Sequence, residues 1–393
     1  MKFIEENGAL CLFLEGRIDS TNAPALEQAL TEALDAHPGL TPVLDAQDLG
    51  YISSAGLRVL LRLQKRTEGR ITVRSVSPEV YDIFSMTGFT EMMNVEKALR
   101  FISVQGLKQI GAGAHSAVYQ LDDETILKVV KDMTLEAIRA EIRVSKDVLI
   151  YGIPTAISYD VVRTEEGYGE VYEMFHAGVL SEAVMAEPER REEYLRRFAA
   201  MYRGIHEVQI GGNVLSSAQE RYLAAAESLA PMLTKEEYAH VRRLLETIPE
   251  SRGFVHGDFH MNNVMLQGEE LLLIDVGEAG YGHPLFDFAQ TACAYEGMTT
   301  TLAANCRKVL GLSLEEAIYV RDNLFPFYFE ETGDALERKL TVVNGVATLR
   351  VLLSPFLQGV GGAEEIVRER LSRKGPLLFP QIDTICSLIR SEF

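Results

Sequence analysis

The sequence contains no Cys-x-x-Cys pair and no cysteine near a histidine at metal-ligand spacing. Its four cysteines, Cys11, Cys293, Cys306 and Cys386, are scattered, which argues against a disulfide framework and a structural zinc and predicts buried thiols. No run of 18 apolar residues occurs, and the start MKFIEENGALCLFLEG lacks the charged, apolar and small-residue order of a signal peptide. A soluble, cytoplasmic protein with no membrane partner is expected. Basic residues are in short supply, 38 Lys and Arg against 57 Asp and Glu for a net charge of -19, which argues against nucleic acid as a partner. There is no internal repeat, no low-complexity tract and no Pro- or Gly-rich tether.

What remains is an ordinary globular composition, 47% hydrophobic and 24% charged, over 393 residues, a length that allows two or three domains. Up to about residue 104, short apolar runs (MKFI, ALCLFLEG, TPVLDA, ITVRSV) alternate with helical periodicity in NAPALEQALTEALDA, AGLRVLLRLQKRT and PEVYDIFSMTGF. This predicts an α/β module. Leu26, Leu30 and Ala33 share a face of the first helix, and Ser20, Thr21 or Asn22 can cap its start. The stretch VLDAQDLGYISSAGLRVLLRL reads as a strand, a tight loop and a helix beginning at Ser53 or Ser54. That order resembles the STAS domain shared by anti-sigma factor antagonists and sulfate transporters, with Gly56 and Leu57 on the family's Gly-Leu. The resemblance implies a soluble regulatory module with a protein partner, Ser54 at the regulatory phosphoserine, and Ser53 where many members carry Asp. Ser54 has a second reading as a helix N-cap.

The chemistry is concentrated in GFVHGDFHMNNVMLQGEELLLIDVGEAGYGHPLFDFA, residues 253–289. Asp258 sits in His-Gly-Asp, Asn263 follows five residues later, and Asp275 closes the run LLLI before Val276 and Gly277. Phosphoryl transfer uses a carboxylate to accept a hydroxyl proton, an amide oxygen to hold magnesium, and an Asp heading an Asp-x-Gly turn to bridge metal and phosphates. Asn262 falls off the required interval and has no assigned task. A zinc hydrolase built on HGDFH is the rival, but it has no use for Asn263 or Asp275.

Upstream, LKQIGAGAHSAVYQLDDETILKVVKD reads as a strand, a Gly-rich turn, a strand, an acidic turn at Asp122 and Asp123, and a strand carrying Lys128. Gly111 and Gly113 let the backbone approach nucleotide phosphates, and Val118 keeps the apolar position that covers adenine. Ser116 stands where a third glycine is usual. A dinucleotide fold would need a helix directly after the glycines, whereas AVYQL is strand-like. The next helix, about residues 134–151, offers Glu136 and Glu141 as partners for Lys128.

Together these segments resemble the aminoglycoside phosphotransferases and choline kinase-like phosphotransferases. His256 to Asp258, Asn263, Ile274 and Asp275, the turn from Gly280 to Pro284, and Asp287 to Ala289 fall on that family's pattern. Gly257, where protein kinases have Arg, favours the small-molecule branch. The resemblance implies an α+β two-lobed protein-kinase-like domain that uses ATP or GTP with Mg2+ and phosphorylates the hydroxyl of a small molecule. It also implies Glu141 as the partner of Lys128, Glu173 and Met174 at the crossover where backbone groups hold adenine, and Asp287 as a buried acid bracing the loop of His256.

The expected organisation is a STAS-like domain over residues 1–105 and a kinase-like domain over 106–393, its N-lobe about 106–178 and its C-lobe about 179–393. From Ser181 onward helical spacing dominates, as in Leu195, Phe198, Tyr202 and Ile205, and His206 at the end of that helix is given no role. Two alternatives stand beside the enzyme reading: a regulatory protein that binds nucleotide without turnover, and a kinase acting on protein, its own Ser54 included. Retention of Lys128, Asp258, Asn263 and Asp275 speaks for active chemistry.

Overall fold

The computed structural model describes residues 2–6, 8–67, 71–112, 116–131, 133–212 and 214–393. They fall into two units, Met1–Ser103 with Val161–Glu165, and Val104–Asp160 with Glu166–Phe393.

In the first unit the elements run β1 (Phe3–Glu6), β2 (Ala9–Ile18), α1 (Ala23–Ala36), β3 (Thr41–Ile52), α2 (Ser54–Arg66), β4 (Thr72–Val76), α3 (Pro78–Met86), α4 (Phe89–Met92), β5 (Asn94–Lys97) and β6 (Arg100–Phe101). The first five strands form one sheet in sequence order. β1 and β2 are antiparallel, and the later neighbours are parallel, each joined through a crossover helix as parallel pairing requires. Leu12, Leu14, Leu44 and Val73 from the strands and Leu30, Leu60 and Phe84 from the helices are buried together.

Two capping expectations are corrected. Asn22 does precede α1, but its Oδ1 accepts the Asp19 N–H and its Nδ2 donates to the Arg17 carbonyl, so the side chain is committed to the preceding turn and caps nothing. At α2 the cap is Ser53, whose Oγ accepts the Gly56 N–H at 3.4 Å. Ser54 is therefore the first helical residue, exposed, and its reading as an N-cap falls. Gly56 is required by close approach, because a Cβ there would lie 2.5 Å from Ile18 Cγ2. Ser53→Ala is expected to loosen the first turn of α2 by about 0.5–1 kcal/mol, and Ser54→Ala to leave it unchanged. Hydrogen exchange of the full chain over Ala55–Leu57 checks this, and equal rates in the two variants would contradict it.

The second unit opens with β7 (Lys108–Ala112), β8 (Ser116–Gln120), β9 (Thr125–Val130) and α5 (Leu135–Ile150); β10 (Ser158–Thr164) is divided between it and the first unit, and β11 (Gly167–Glu173) follows. Within the second unit the strands run β11-β9-β8-β7, each pair of neighbours antiparallel. The next described element after β7, which holds Gly111, is thus a strand and not a helix, which removes the dinucleotide fold. Asp122 Oδ1 accepts the N–H groups of Glu124 and Thr125, fixing the acidic turn. Thr134 caps α5 through the Ala137 N–H.

There follow β12 (Gly178–Val179), α6 (Leu180–Ala186), α7 (Arg191–Glu207), β13 (Ser216–Ser217), α8 (Ala218–Leu229), α9 (Lys235–Thr247), β14 (Phe254–Val255), β15 (Val264–Gln267), β16 (Glu270–Leu273) and β17 (Gly280–Tyr281). The chain ends in α10 (Leu285–Thr299), α11 (Cys306–Leu310), α12 (Leu314–Phe329), α13 (Gly333–Leu357), α14 (Ala363–Leu378) and α15 (Ile382–Glu392). Leu195, Phe198, Tyr202 and Ile205 all bury on one face of α7, as their spacing predicts. By length and composition α13 could cross a bilayer, yet half of its apolar window is buried inside the unit, as in the core helix of a globular domain. Cys11, Cys306 and Cys386 are buried, while Cys293 is only half-buried, a correction to the expectation for that thiol.

Candidate active site

Asp287 fixes the loop on which the site depends. It stands, fully buried, in the first turn of α10, where free N–H groups and the positive helix end suit a carboxylate. Its Oδ2 accepts the His256 N–H and its Oδ1 the Gly257 N–H, both at 2.7 Å, so one side chain clamps two successive peptide units. His206 places Nε2 3.1 Å from Asp287 Oδ2 and Nδ1 3.0 Å from the Tyr328 hydroxyl. Burial would raise the Asp287 carboxyl, but the hydrogen bond from His206, with His256 and the Gly257 N–H, holds it below the usual carboxylate range. Gly257 has φ +87°, and a Cβ there would lie 2.7 Å from the Glu278 carbonyl oxygen, so this turn needs glycine. His256 is buried, which pushes its imidazole toward the neutral form against the pull of nearby carboxylates. Its Nδ1 accepts the Asp258 N–H at 3.2 Å.

Asp258 Oδ1 accepts from Gln290 Nε2 at 2.9 Å. Its Oδ2 lies 3.3 Å from Asn263 Nδ2 and 3.5 Å from His260 Nε2, and the side chain stays 38% exposed, open to an incoming hydroxyl. Desolvation would raise this carboxyl, but the hydrogen bond and charge of His260, then Gln290 and His256, hold it well below the usual range. Asn263 turns Nδ2 to Asp258, reaching its carbonyl at 3.0 Å. That leaves Oδ1 unengaged among the described residues. The Asn263 carbonyl accepts the Ile274 N–H at 3.0 Å, which ties this loop to the residue before Asp275. Asp275 adopts φ 61°, a left-handed conformation that Asp tolerates better than most residues.

Asn263 Oδ1 and the Asp275 carboxylate are hard oxygen donors, and two such protein ligands are what a magnesium ion shared with phosphates takes, so these residues fit the ion. Among the described residues no three His, Cys, Asp or Glu side chains gather as a metal cluster. His256 and His260 each direct one ring nitrogen at Asp258, and with no such cluster among the described residues the zinc hydrolase reading has no ligand set.

On the sheet, Gly111 pairs with Val118, Val118 with Lys128, and Lys128 with Glu170. Residues directly opposite share a face, so these four form one row. Gly113 lies outside the described residues. Lys128 Nζ is 3.0 Å from Glu141 Oε1 and 3.2 Å from Asp275 Oδ1. Burial opposes the ammonium charge, but the two carboxylates outweigh it and keep Lys128 protonated. Glu136 is left in the first turn of α5. At the crossover the Glu173 N–H donates to the Ile157 carbonyl and the Met174 N–H to the Glu124 carbonyl. The expectation that backbone groups there hold adenine is thereby narrowed, since both of these N–H donors are already used.

Four residues of this neighbourhood escape sequence reading: His206, Glu170, Gln290 and Arg350. Glu170 is fully buried beside Lys128, receives the Tyr172 hydroxyl, and keeps Oε1 without a partner. Burial, then the charge of Glu141, pushes its carboxyl up to about 7. Because the folded value lies above the ordinary one, ionisation works against the fold: stability intact below the unfolded pKa of 4.5 is lost as pH rises through about 7. Glu170→Gln is expected to match wild type near pH 4.5 and to exceed it at pH 8 by on the order of 1–3 kcal/mol. Denaturant midpoints at the two pH values check this, and a gap that does not grow with pH would contradict it.

A strand-held lysine facing a clamped His-Gly-Asp loop and an Asp-x-Gly turn is the arrangement of a kinase-type phosphotransferase. The model of the Phosphotransferase enzyme family matches residues 106–311, just over half of the chain, and the chain belongs to that family. The STAS domain model matches residues 1–102. Both halves of the sequence resemblance, and the fold class it implied, agree with these matches. A candidate anti-sigma factor antagonist, BtrV, of Bordetella bronchiseptica is 36% identical over 92 residues, 23% of this chain and 78% of that protein. Among solved structures, a choline/ethanolamine kinase family protein from Mesorhizobium loti is 15% identical with a TM-score of 0.46, over 73% of this chain and 93% of that one. The gentamicin complex of APH(2")-IIa is 15% identical with a TM-score of 0.44, over 69% and 91%.

Proposed function

We propose that the second unit transfers the γ-phosphoryl of ATP or GTP to a hydroxyl of a small molecule in the cytoplasm, and that the first unit is a regulatory module for a protein partner. The observation supporting the chemistry most is the convergence of Lys128, Asp275, Asn263 and Asp258 from three separate segments. In this reading the hydroxyl oxygen attacks the γ-phosphorus, its proton passes to Asp258, and the bond to the bridging oxygen of the departing nucleoside diphosphate breaks. Lys128, aligned by Glu141, steadies the α- and β-phosphates, Gly111 covers them, and Val118 lies over the base. Asn263 and Asp275 would hold a magnesium ion, which neutralises phosphate charge when bound. The family match supports a small acceptor.

Calorimetry should show magnesium-dependent binding of ATP or GTP, weakened by Lys128→Ala, with no comparable affinity for NAD. Binding without transfer to any acceptor would move the assignment to the regulatory alternative, and label found only in protein would move it to a protein kinase. For the first unit, the name of the Bordetella relative supports a protein partner, and the Ser53 cap supports Ser54 as a modification site, since it leaves that hydroxyl exposed. A phosphate there would meet the free N–H groups of α2 and add charge to a docking surface. Intact-mass analysis from native cells, with pull-downs by Ser54→Ala and Ser54→Asp, tests this: an unmodified Ser54 and unchanged partners would remove it.

A further inference from the structure

We propose that Arg350 is a positioning residue for Asp258, acting through the carboxamide of Gln290. The inference rests on Asp258 being the base.

Gln290 lies one turn beyond Asp287 on α10 and donates from Nε2 to Asp258 Oδ1 at 2.9 Å. A carboxamide has a donor end and an acceptor end of nearly equal size. Turned over, Gln290 would place Oε1 against Asp258 Oδ1, two acceptors facing each other. Arg350 on α13 sets the orientation, because its Nε donates to Gln290 Oε1. A guanidinium has only donors and does not lose its proton in a protein, so the Oε1 end is held at Arg350 and the Nε2 end at Asp258. Oδ1 is thereby engaged by Gln290, and Oδ2, which Asn263 Nδ2 and His260 Nε2 approach at 3.3 and 3.5 Å, is the oxygen that takes the acceptor proton.

Arg350 is itself tightly placed. It is 6% exposed, and its Nη1 lies 3.3 Å from the Tyr222 hydroxyl, which donates in turn to the Phe286 carbonyl. Among the described residues no carboxylate is hydrogen-bonded to it. Burying a cation without such a partner is costly, and an apolar side chain of similar size would fill the space without that cost. The Asp258 carboxylate, reached across one amide, gives the charge a task. Arg350 also lies beyond residues 106–311, so the family match does not cover it.

The test uses the full chain, with the ADP released when the γ-phosphoryl of Mg–ATP passes to water as the probe and calorimetric Mg–ATP affinity as the control. Arg350→Met should slow release by about 10- to 100-fold with affinity unchanged. Its combination with Gln290→Ala should be no slower than Gln290→Ala alone, because Arg350 acts only through that amide. A structural role would instead weaken nucleotide binding and multiply the losses. Should Arg350→Met fail to fold, Gln290→Glu decides, since it keeps an acceptor for Arg350 but removes the donor to Asp258: about tenfold or greater slowing with retained affinity supports the proposal, and wild-type release overturns it. Release within twofold of wild type in folded Arg350→Met also overturns it, provided Asp258→Asn is slow. If Asp258→Asn releases ADP at the wild-type rate, it is the base assignment that fails.

Discussion

Asn in place of Asp258 is expected to slow phosphoryl transfer by about 10²- to 10⁴-fold while Mg–ATP affinity stays near that of wild type. The substitution keeps the shape of the side chain and an oxygen to accept from Gln290 Nε2, so the loop clamped by Asp287 should keep its form. What it removes is the carboxylate oxygen that faces Asn263 Nδ2 and His260 and is open to the acceptor. An amide cannot take the hydroxyl proton. Rapid-quench transfer rates beside calorimetric affinities check this, and equal loss of both would recast Asp258 as a nucleotide-binding or structural group.

Asp275→Ala is expected to abolish the magnesium dependence of nucleotide binding and to weaken Mg–ATP affinity by about tenfold or more, with transfer lost as a consequence. Asp275 contributes a carboxylate beside Asn263 and one of the two anionic partners of Lys128. Without it Glu141 is the one carboxylate hydrogen-bonded to the ammonium among the described residues. The backbone at φ 61° strains Ala more than Asp, so Asp275→Asn is the control that holds the turn while removing the charge. Magnesium titrations of ATP binding separate the cases: a variant still stimulated by magnesium as wild type is would take Asp275 out of the metal site.

The parts of this site that are legible in the sequence are those written along one short segment. Asp258 and Asn263 belong to one loop whose turns fix their spacing, and the Gly111 to Lys128 hairpins announce themselves by alternating strands and an acidic turn. Cross-strand register is harder. Glu170 faces Lys128 only because two hairpins place those residues opposite each other, and a one-residue slip would have turned it away. Gln290 at one turn from Asp287 offered a helical-spacing signal. Arg350 offered none, since its contact with Gln290 spans 60 residues and depends on how α13 packs. His206 likewise meets Asp287 across 81 residues. The exchange of Ser54 for Ser53 as the cap of α2 is an error of one position, the scale on which helix starts are least determined by pattern.

The chemistry proposed for this constellation is transfer of the γ-phosphoryl of a nucleoside triphosphate to a hydroxyl. Its most direct test is a ³¹P NMR time course of the full chain with Mg–ATP and fractionated small hydroxylated metabolites. One fraction is expected to yield ADP together with an equal amount of a new phosphate monoester. Unchanged ATP in every fraction, or inorganic phosphate as the sole new product, would contradict it.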